Sequence, residues 1–129
     1  IVRDHSAGKF AQKIDRLHRI ADFMNADLGE DRVHVEIEQQ YRNMAEIVAD
    51  YPQLIDAAKQ AFEAAGVEAD VIPIRGGTDG AQLSFRGLPC PNLSTGAYCC
   101  HGVNEFIPVS SLERMVDVLE QLVALFARS

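Results

Sequence analysis

The 129 residues hold no basic cluster, no long apolar run and only three cysteines, and each shortage removes a class of function. Twelve Lys and Arg stand against nineteen Asp and Glu, a net charge of -7, and no stretch interleaves cations with aromatics. A phosphate backbone therefore finds no electrostatic footprint here, and nucleic acid is not expected as a partner. No apolar run approaches the roughly 20 residues that cross a bilayer, and the opening Ile1-Val2-Arg3-Asp4-His5 lacks the regions of a secretory signal. The expected compartment is the cytoplasm. Cys90, Cys99 and Cys100 are odd in number, and a bridge between the last two would be strained, so reduced thiols are expected. There is no internal repeat and no low-complexity stretch.

What is present suits one compact unit or a piece of a larger one, because 47% of the residues are hydrophobic. Ile1 is not an initiator methionine, and Ile1-Val2-Arg3 reads as the middle of a strand, so the chain is expected to begin inside an element. Ser6 can then cap a helix whose apolar residues Phe10, Ile14, Leu17, Ala21 and Met24 recur every three or four positions, a pattern that dissolves between Asn25 and Gly29. Val33, Val35 and Ile37 alternate with His34, Glu36 and Glu38, which predicts a strand with one buried face. The first forty residues or so read strand, helix, strand.

The character changes after Met44. Asp50-Tyr51-Pro52 opens a second helix with Leu54, Ile55, Ala58, Phe62 and Ala65 inward and Gly66 as its stop. Val71, Ile72 and Ile74 predict a short strand that runs into Gly76 and Gly77, and Thr78-Asp79 then starts a helix kept short by Gly87, Pro89 and Pro91. A small strand over 91–95 can follow. Ser110 and Glu113 have the spacing of a capping box ahead of Leu112, Met115, Val116, Leu119, Leu122, Val123 and Phe126, which predicts the last helix. The fold class is α/β.

Two places could carry chemistry. The Gly76-Gly77-Thr78-Asp79 turn brings bare backbone to a helix start, where unpaired N–H groups favour an anion or a carbonyl, and the always-charged fork of Arg75 beside it suits a carboxylate. The plainer reading is that the glycines permit positive φ and that Thr78 and Asp79 only cap the helix. His101 lies in a loop before the last helix and reads either as a structural histidine or as a neutral metal ligand. Cys99-Cys100-His101 is not read as a zinc knot, because neighbours in sequence rarely face one ion together and no C-x-x-C pairing supports it. His5, His18 and His34 show no ligand spacing.

Three ordered runs carry a resemblance. Pro73-Ile74-Arg75-Gly76-Gly77-Thr78-Asp79-Gly80-Ala81-Gln82-Leu83-Ser84-Phe85, then Gly87-Leu88-Pro89-Cys90-Pro91-Asn92-Leu93, then His101-Gly102 with Glu105-Phe106, closely resemble the tripeptide-cleaving aminopeptidases of the M20 di-zinc metallopeptidase family. Upstream, Ile1-Val2-Arg3-Asp4 and Tyr41-x-Asn43-Met44 resemble the lid domain of the same enzymes. The resemblance implies a C-terminal portion of a longer protein: the C-terminal half of a ferredoxin-like α/β lid, strand-helix-strand, over residues 1–46, and the C-terminal part of a zinc-peptidase α/β catalytic domain over 47–129.

By the same resemblance His101 is a zinc ligand of a two-ion site, Glu105 an outer group that orients it, and Gly76, Gly77 and Thr78 the cradle for the substrate backbone. Arg75 binds the substrate end, and Arg3 and Asn43 reach over the bound tripeptide from the lid. This chain departs from the family at Asn104, where a second histidine is usual, and at Cys99-Cys100, which replace a Tyr-rich approach. It also lacks the H-x-D, D-D and E-E patterns that supply the other ligands and the general-base glutamate. The expected partner is therefore the remaining N-terminal part of the protein, and the chain alone is expected to be inactive. Two other readings stand beside this one: a noncatalytic α/β module that forms a homodimer through the Val33-Val35-Ile37 edge, and another M20 hydrolase, a dipeptidase, carboxypeptidase or deacylase.

Overall fold

A computed structural model describes residues 1–29, 31–74 and 77–128. Five helices account for the regular structure among them: α1 (Ala7–Leu28), α2 (Ala45–Val48), α3 (Pro52–Ala64), α4 (Asp79–Phe85) and α5 (Val109–Phe126). The chain divides into two units, one of Ile1–Asn43 with Pro73–Asp79 and one of Met44–Ile72 with Gly80–Ser129.

The first unit is built on α1. Ser6 caps it as the sequence predicts, its Oγ accepting the Lys9 N–H at 3.4 Å, and the helix runs through Asn25 to end at Gly29, whose φ of 72° is the left-handed stop that glycine permits. Of the expected apolar stripe, Ala21 is buried and Phe10 and Ile14 are half-buried, while Leu17 and Met24 stay exposed. The two flanking strands do not form. Before the helix, Lys13 Nζ donates to the Arg3 carbonyl at 2.7 Å and pairs with Asp4 at 2.8 Å, so the opening residues are tied along α1 by a side chain and not by a ladder. The hydrogen bonds from Lys13 and from the Ser6 N–H hold the Asp4 carboxyl below its ordinary pKa.

After the helix, Asn25 takes the backbone that a neighbouring strand would have taken. Its Oδ1 accepts the N–H groups of Arg32 and Val33 at 2.8 and 2.7 Å, and its Nδ2 donates to the Val33 carbonyl at 2.9 Å and to Asp31 at 3.1 Å. The alternation of Val33 and Val35, both half-buried, therefore survives without a strand, and the edge proposed for dimerisation has no ladder to extend. Asn25→Asp removes both donors and sets a second carboxylate against Asp31, so we expect it to lower stability by about 2 kcal/mol, read as a shift in the urea midpoint. An unchanged midpoint would show that the bracket is idle.

The second unit holds α2, α3, α5 and most of α4, and its packed pair is α3 with α5. Pro52 occupies the first turn of α3, where its missing N–H is harmless and its fixed φ fits, and past the helix Gly66 adopts a φ of 70° with its N–H on the Glu63 carbonyl. Along the contact with α5, Ala61 and Val118 are fully buried, and Arg114 reaches from α5 to the Ala65 and Gly66 carbonyls at 3.1 and 3.3 Å. That guanidinium satisfies acceptors the end of α3 would otherwise leave open. α5 is apolar on a second side as well, where Leu112, Val116, Leu119, Val123 and Phe126 are exposed.

The predicted capping box does not form. Pro108 is the N-cap, its carbonyl accepting from Ser111 and Leu112, so Ser110 already lies inside the first turn and cannot cap it. The short apolar run Val71-Ile72-Ile74 is exposed and joins no ladder. Over 91–95 the expected strand is replaced by local turns, in which Ser94 Oγ accepts the Gly96 N–H and Thr95 Oγ1 the Ala97 N–H. Among the described residues the β-pairing is a single antiparallel bridge between Tyr98 and Phe106, and neither the strand-helix-strand lid nor an α/β layer is seen among them.

Candidate functional site

The Tyr98–Phe106 bridge closes a loop, and His101 stands in it. The two residues exchange backbone hydrogen bonds at 2.9 and 3.2 Å, and their rings stack with centroids 5.2 Å apart. An aromatic pair of this kind adds about 0.5–1.5 kcal/mol to the burial it brings, enough to hold a short loop shut. Inside the loop Cys99 and His101 both have left-handed backbone, with φ of 53° and 67°. Side chains other than glycine adopt that conformation at a cost of about 1 kcal/mol or more, so something must hold it.

Glu105 is what holds it. Its Oε2 accepts the His101 N–H at 2.7 Å, while the Glu105 N–H donates to the Gly102 carbonyl and the Gly102 N–H to the Cys99 carbonyl. Glu105 thus acts on the main chain of His101. The histidine itself is exposed, which leaves the residue presented to the outside of the loop. Cys99 and Cys100 are exposed free thiols beside it, and Cys90 is a half-buried one.

The other expected residues that are described belong to the first unit. Gly77 and Thr78 precede α4 in the first unit, with Gly77 exposed and Thr78 half-buried, whereas Arg75 and Gly76 fall outside the described residues. Arg3 is exposed and lines an open depression with Ile1, Val2, Lys13, Arg16, Leu17 and Ile20. Asn43 donates from Nδ2 to the His5 carbonyl at 2.9 Å, joining the two ends of the first unit's leading segment. Among the described residues no three or more His, Cys, Asp or Glu side chains gather as a metal cage. A single imidazole donor fits one position of a zinc centre and does not make a centre, which needs about three protein ligands.

Behind α4 lies a feature the sequence reading missed. Ser84, 2% exposed, donates from Oγ to the Gly80 carbonyl at 2.7 Å and accepts the Cys90 N–H at 3.0 Å, which pins the Cys90-Pro91-Asn92 segment against the helix. The clue was Gly80 itself, a glycine near a helix start with no turn to justify it. Likewise Tyr98 and Phe106 flank the His101 loop in sequence, an aromatic on each side of it.

Comparison with known proteins covers nearly the whole chain. A model of peptidase family M20/M25/M40 matches residues 4–125. Peptidase T of Vibrio parahaemolyticus is 44% identical over 128 residues, which are 99% of this chain and 31% of that protein. The peptidase T of Caldanaerobacter subterraneus subsp. tengcongensis is 41% identical over 128 residues and that of Halothermothrix orenii 42% over 127, each again with 31% of its length matched. The chain thus spans about a third of the length of these relatives.

Proposed function

The chain belongs to peptidase family M20/M25/M40, and from that membership we propose that it is a working part of a zinc-dependent exopeptidase that removes the N-terminal residue from tripeptides. The observation that carries the reading is the His101 loop: an exposed imidazole on a strained backbone, pinned through its own N–H by Glu105, inside a segment matched from end to end by the family. Strain held in place by a dedicated carboxylate is characteristic of functional positions.

In this reading His101 donates one nitrogen lone pair to a metal ion, and Glu105 keeps the loop from relaxing away from it. Zinc, when bound, supplies Lewis acidity toward water and toward the scissile carbonyl. Gly76, Gly77 and Thr78 meet the substrate main chain, Arg75 or Arg3 pairs with the tripeptide carboxylate, and Asn43 reaches the bound peptide. A charge-assisted contact to that carboxylate is worth about 1.5–3 kcal/mol, and it selects for length because a longer peptide carries its carboxylate elsewhere. We assign no residue of this chain as general base; that glutamate and the remaining ligands belong to the rest of the longer protein. Residues 1–46 are proposed as the end of its lid and 47–129 as part of its catalytic domain.

The test compares the 129-residue chain with the longer protein. We expect the chain alone to bind zinc weakly by calorimetry and to cleave no tripeptide, and the longer protein to do both. Tight stoichiometric zinc together with turnover by the isolated chain would overturn the division of labour. No described helix is long and apolar enough to cross a membrane.

A further inference from the structure

Cys99 and Cys100 are adjacent, exposed, free thiols, and the peptidase reading gives neither a task. Their loop takes its shape without the sulfurs: the Tyr98–Phe106 bridge closes it, the His101 N–H donates to the Glu105 carboxylate, and the Gly102 N–H donates to the Cys99 carbonyl. The third thiol, Cys90, is half-buried, and its N–H is held by the Ser84 hydroxyl at 3.0 Å. A direct bond between the two exposed sulfurs is disfavoured, because neighbouring Cα atoms stand about 3.8 Å apart, short of the roughly 4.4–6.8 Å that a disulfide spans. One atom of a thiophilic element placed between the sulfurs lifts that restriction, since they then need not touch. Zinc is the wrong atom for the pair: it takes about four ligands, and among the described residues no three His, Cys, Asp or Glu side chains gather to hold it. Trivalent arsenic that already carries one carbon substituent needs two sulfurs and nothing more.

We propose that Cys99 and Cys100 together form a binding site for trivalent monoorganic arsenicals, each sulfur taking one bond to a single arsenic atom. With phenylarsine oxide, which water converts to the dihydroxide, two As–S bonds form and two As–O bonds break. Each thiol proton leaves with a displaced hydroxide as water, and arsenic stays trivalent, so nothing is oxidised or reduced. The first bond costs a collision from solution, whereas the second closes within the loop at a high effective concentration, and linking of this kind raises binding by about 10²–10⁴-fold over either partner alone. A lone thiol such as Cys90 has no such advantage and yields the arsenical to any competing monothiol.

The test uses the reduced 129-residue chain and phenylarsine oxide in the presence of excess monothiol, read by intact-mass spectrometry. The wild-type chain should hold one phenylarsenic adduct that the monothiol does not remove and a small vicinal dithiol does. Cys90→Ser should keep the adduct unchanged. Cys99→Ser and Cys100→Ser should each weaken binding by about 100-fold or more and release the adduct to the monothiol. Both positions are exposed, so serine at either should leave the far-ultraviolet circular dichroism of the chain as it is. A wild-type chain that holds no adduct overturns the site whatever the variants do. An adduct that resists the monothiol in Cys99→Ser or Cys100→Ser, or one that disappears in Cys90→Ser, overturns the pairing of these two sulfurs. No arm of the experiment depends on peptide cleavage, so the result stands apart from the fate of the peptidase reading.

Discussion

His101→Ala in the longer protein is expected to abolish tripeptide cleavage, with kcat/KM falling by about 10³-fold or more, equivalent to roughly 4 kcal/mol of lost transition-state stabilisation. Bound zinc should fall with it. The loss should come without unfolding, because His101 is exposed and its side chain supports no core. A glycine at the same position makes the sharper experiment: with φ at 67°, His101→Gly removes the imidazole and also relieves backbone strain, so we expect stability to rise by up to about 1 kcal/mol while activity vanishes. Metal analysis, kinetics and a thermal melt on the two variants check all three quantities. If zinc content and turnover survive in either variant, His101 returns to being a loop residue.

Gly80→Ala should destabilise the second unit by about 3 kcal/mol, although alanine is the better helix former by about 1 kcal/mol. The sign is decided by space. A Cβ at Gly80 would stand 2.6 Å from the Cys90 carbonyl oxygen and 2.7 Å from Asn92 Oδ1. The backbone carbonyl cannot yield easily, since the Cys90 N–H is held by Ser84 and Ser84 by the Gly80 carbonyl. Gly8 in α1 is the internal control, with only Ser6 Oγ near at 3.9 Å, and Gly8→Ala should be neutral or stabilising by a few tenths of a kcal/mol. A Gly80→Ala protein whose urea midpoint matches or exceeds that of the wild type would refute the packing account.

These cases mark what the sequence could and could not disclose. The Ser6 cap, the Pro52 start, the Gly29 and Gly66 stops and the apolar period of α5 depend on residues within a turn or two, and they are legible because their causes are local. Strands depend on partners. The alternation at Val33 and Val35 records which side is half-buried, yet it says nothing of who accepts the backbone, and Asn25 turns out to take it. The capping box failed for a different reason: Pro108, with φ near -61°, opens α5 earlier than the Ser110–Glu113 spacing suggests. As for the candidate site, the place of His101 in a loop ahead of α5 was legible, but its left-handed backbone and the attachment of Glu105 to its N–H had no sequence signature.

The loop between Tyr98 and Phe106 has one further consequence. Its ends are clasped by two backbone bonds and a ring stack, and its interior by hydrogen bonds among Cys99, His101, Gly102 and Glu105, so its shape is determined almost wholly within itself. A self-determined loop tolerates drift in the surrounding scaffold, because closing a short span is entropically cheap and need not be repeated by distant contacts. Transplanted between the ends of an unrelated hairpin with Tyr98 and Phe106 retained, it is expected to carry its imidazole with it.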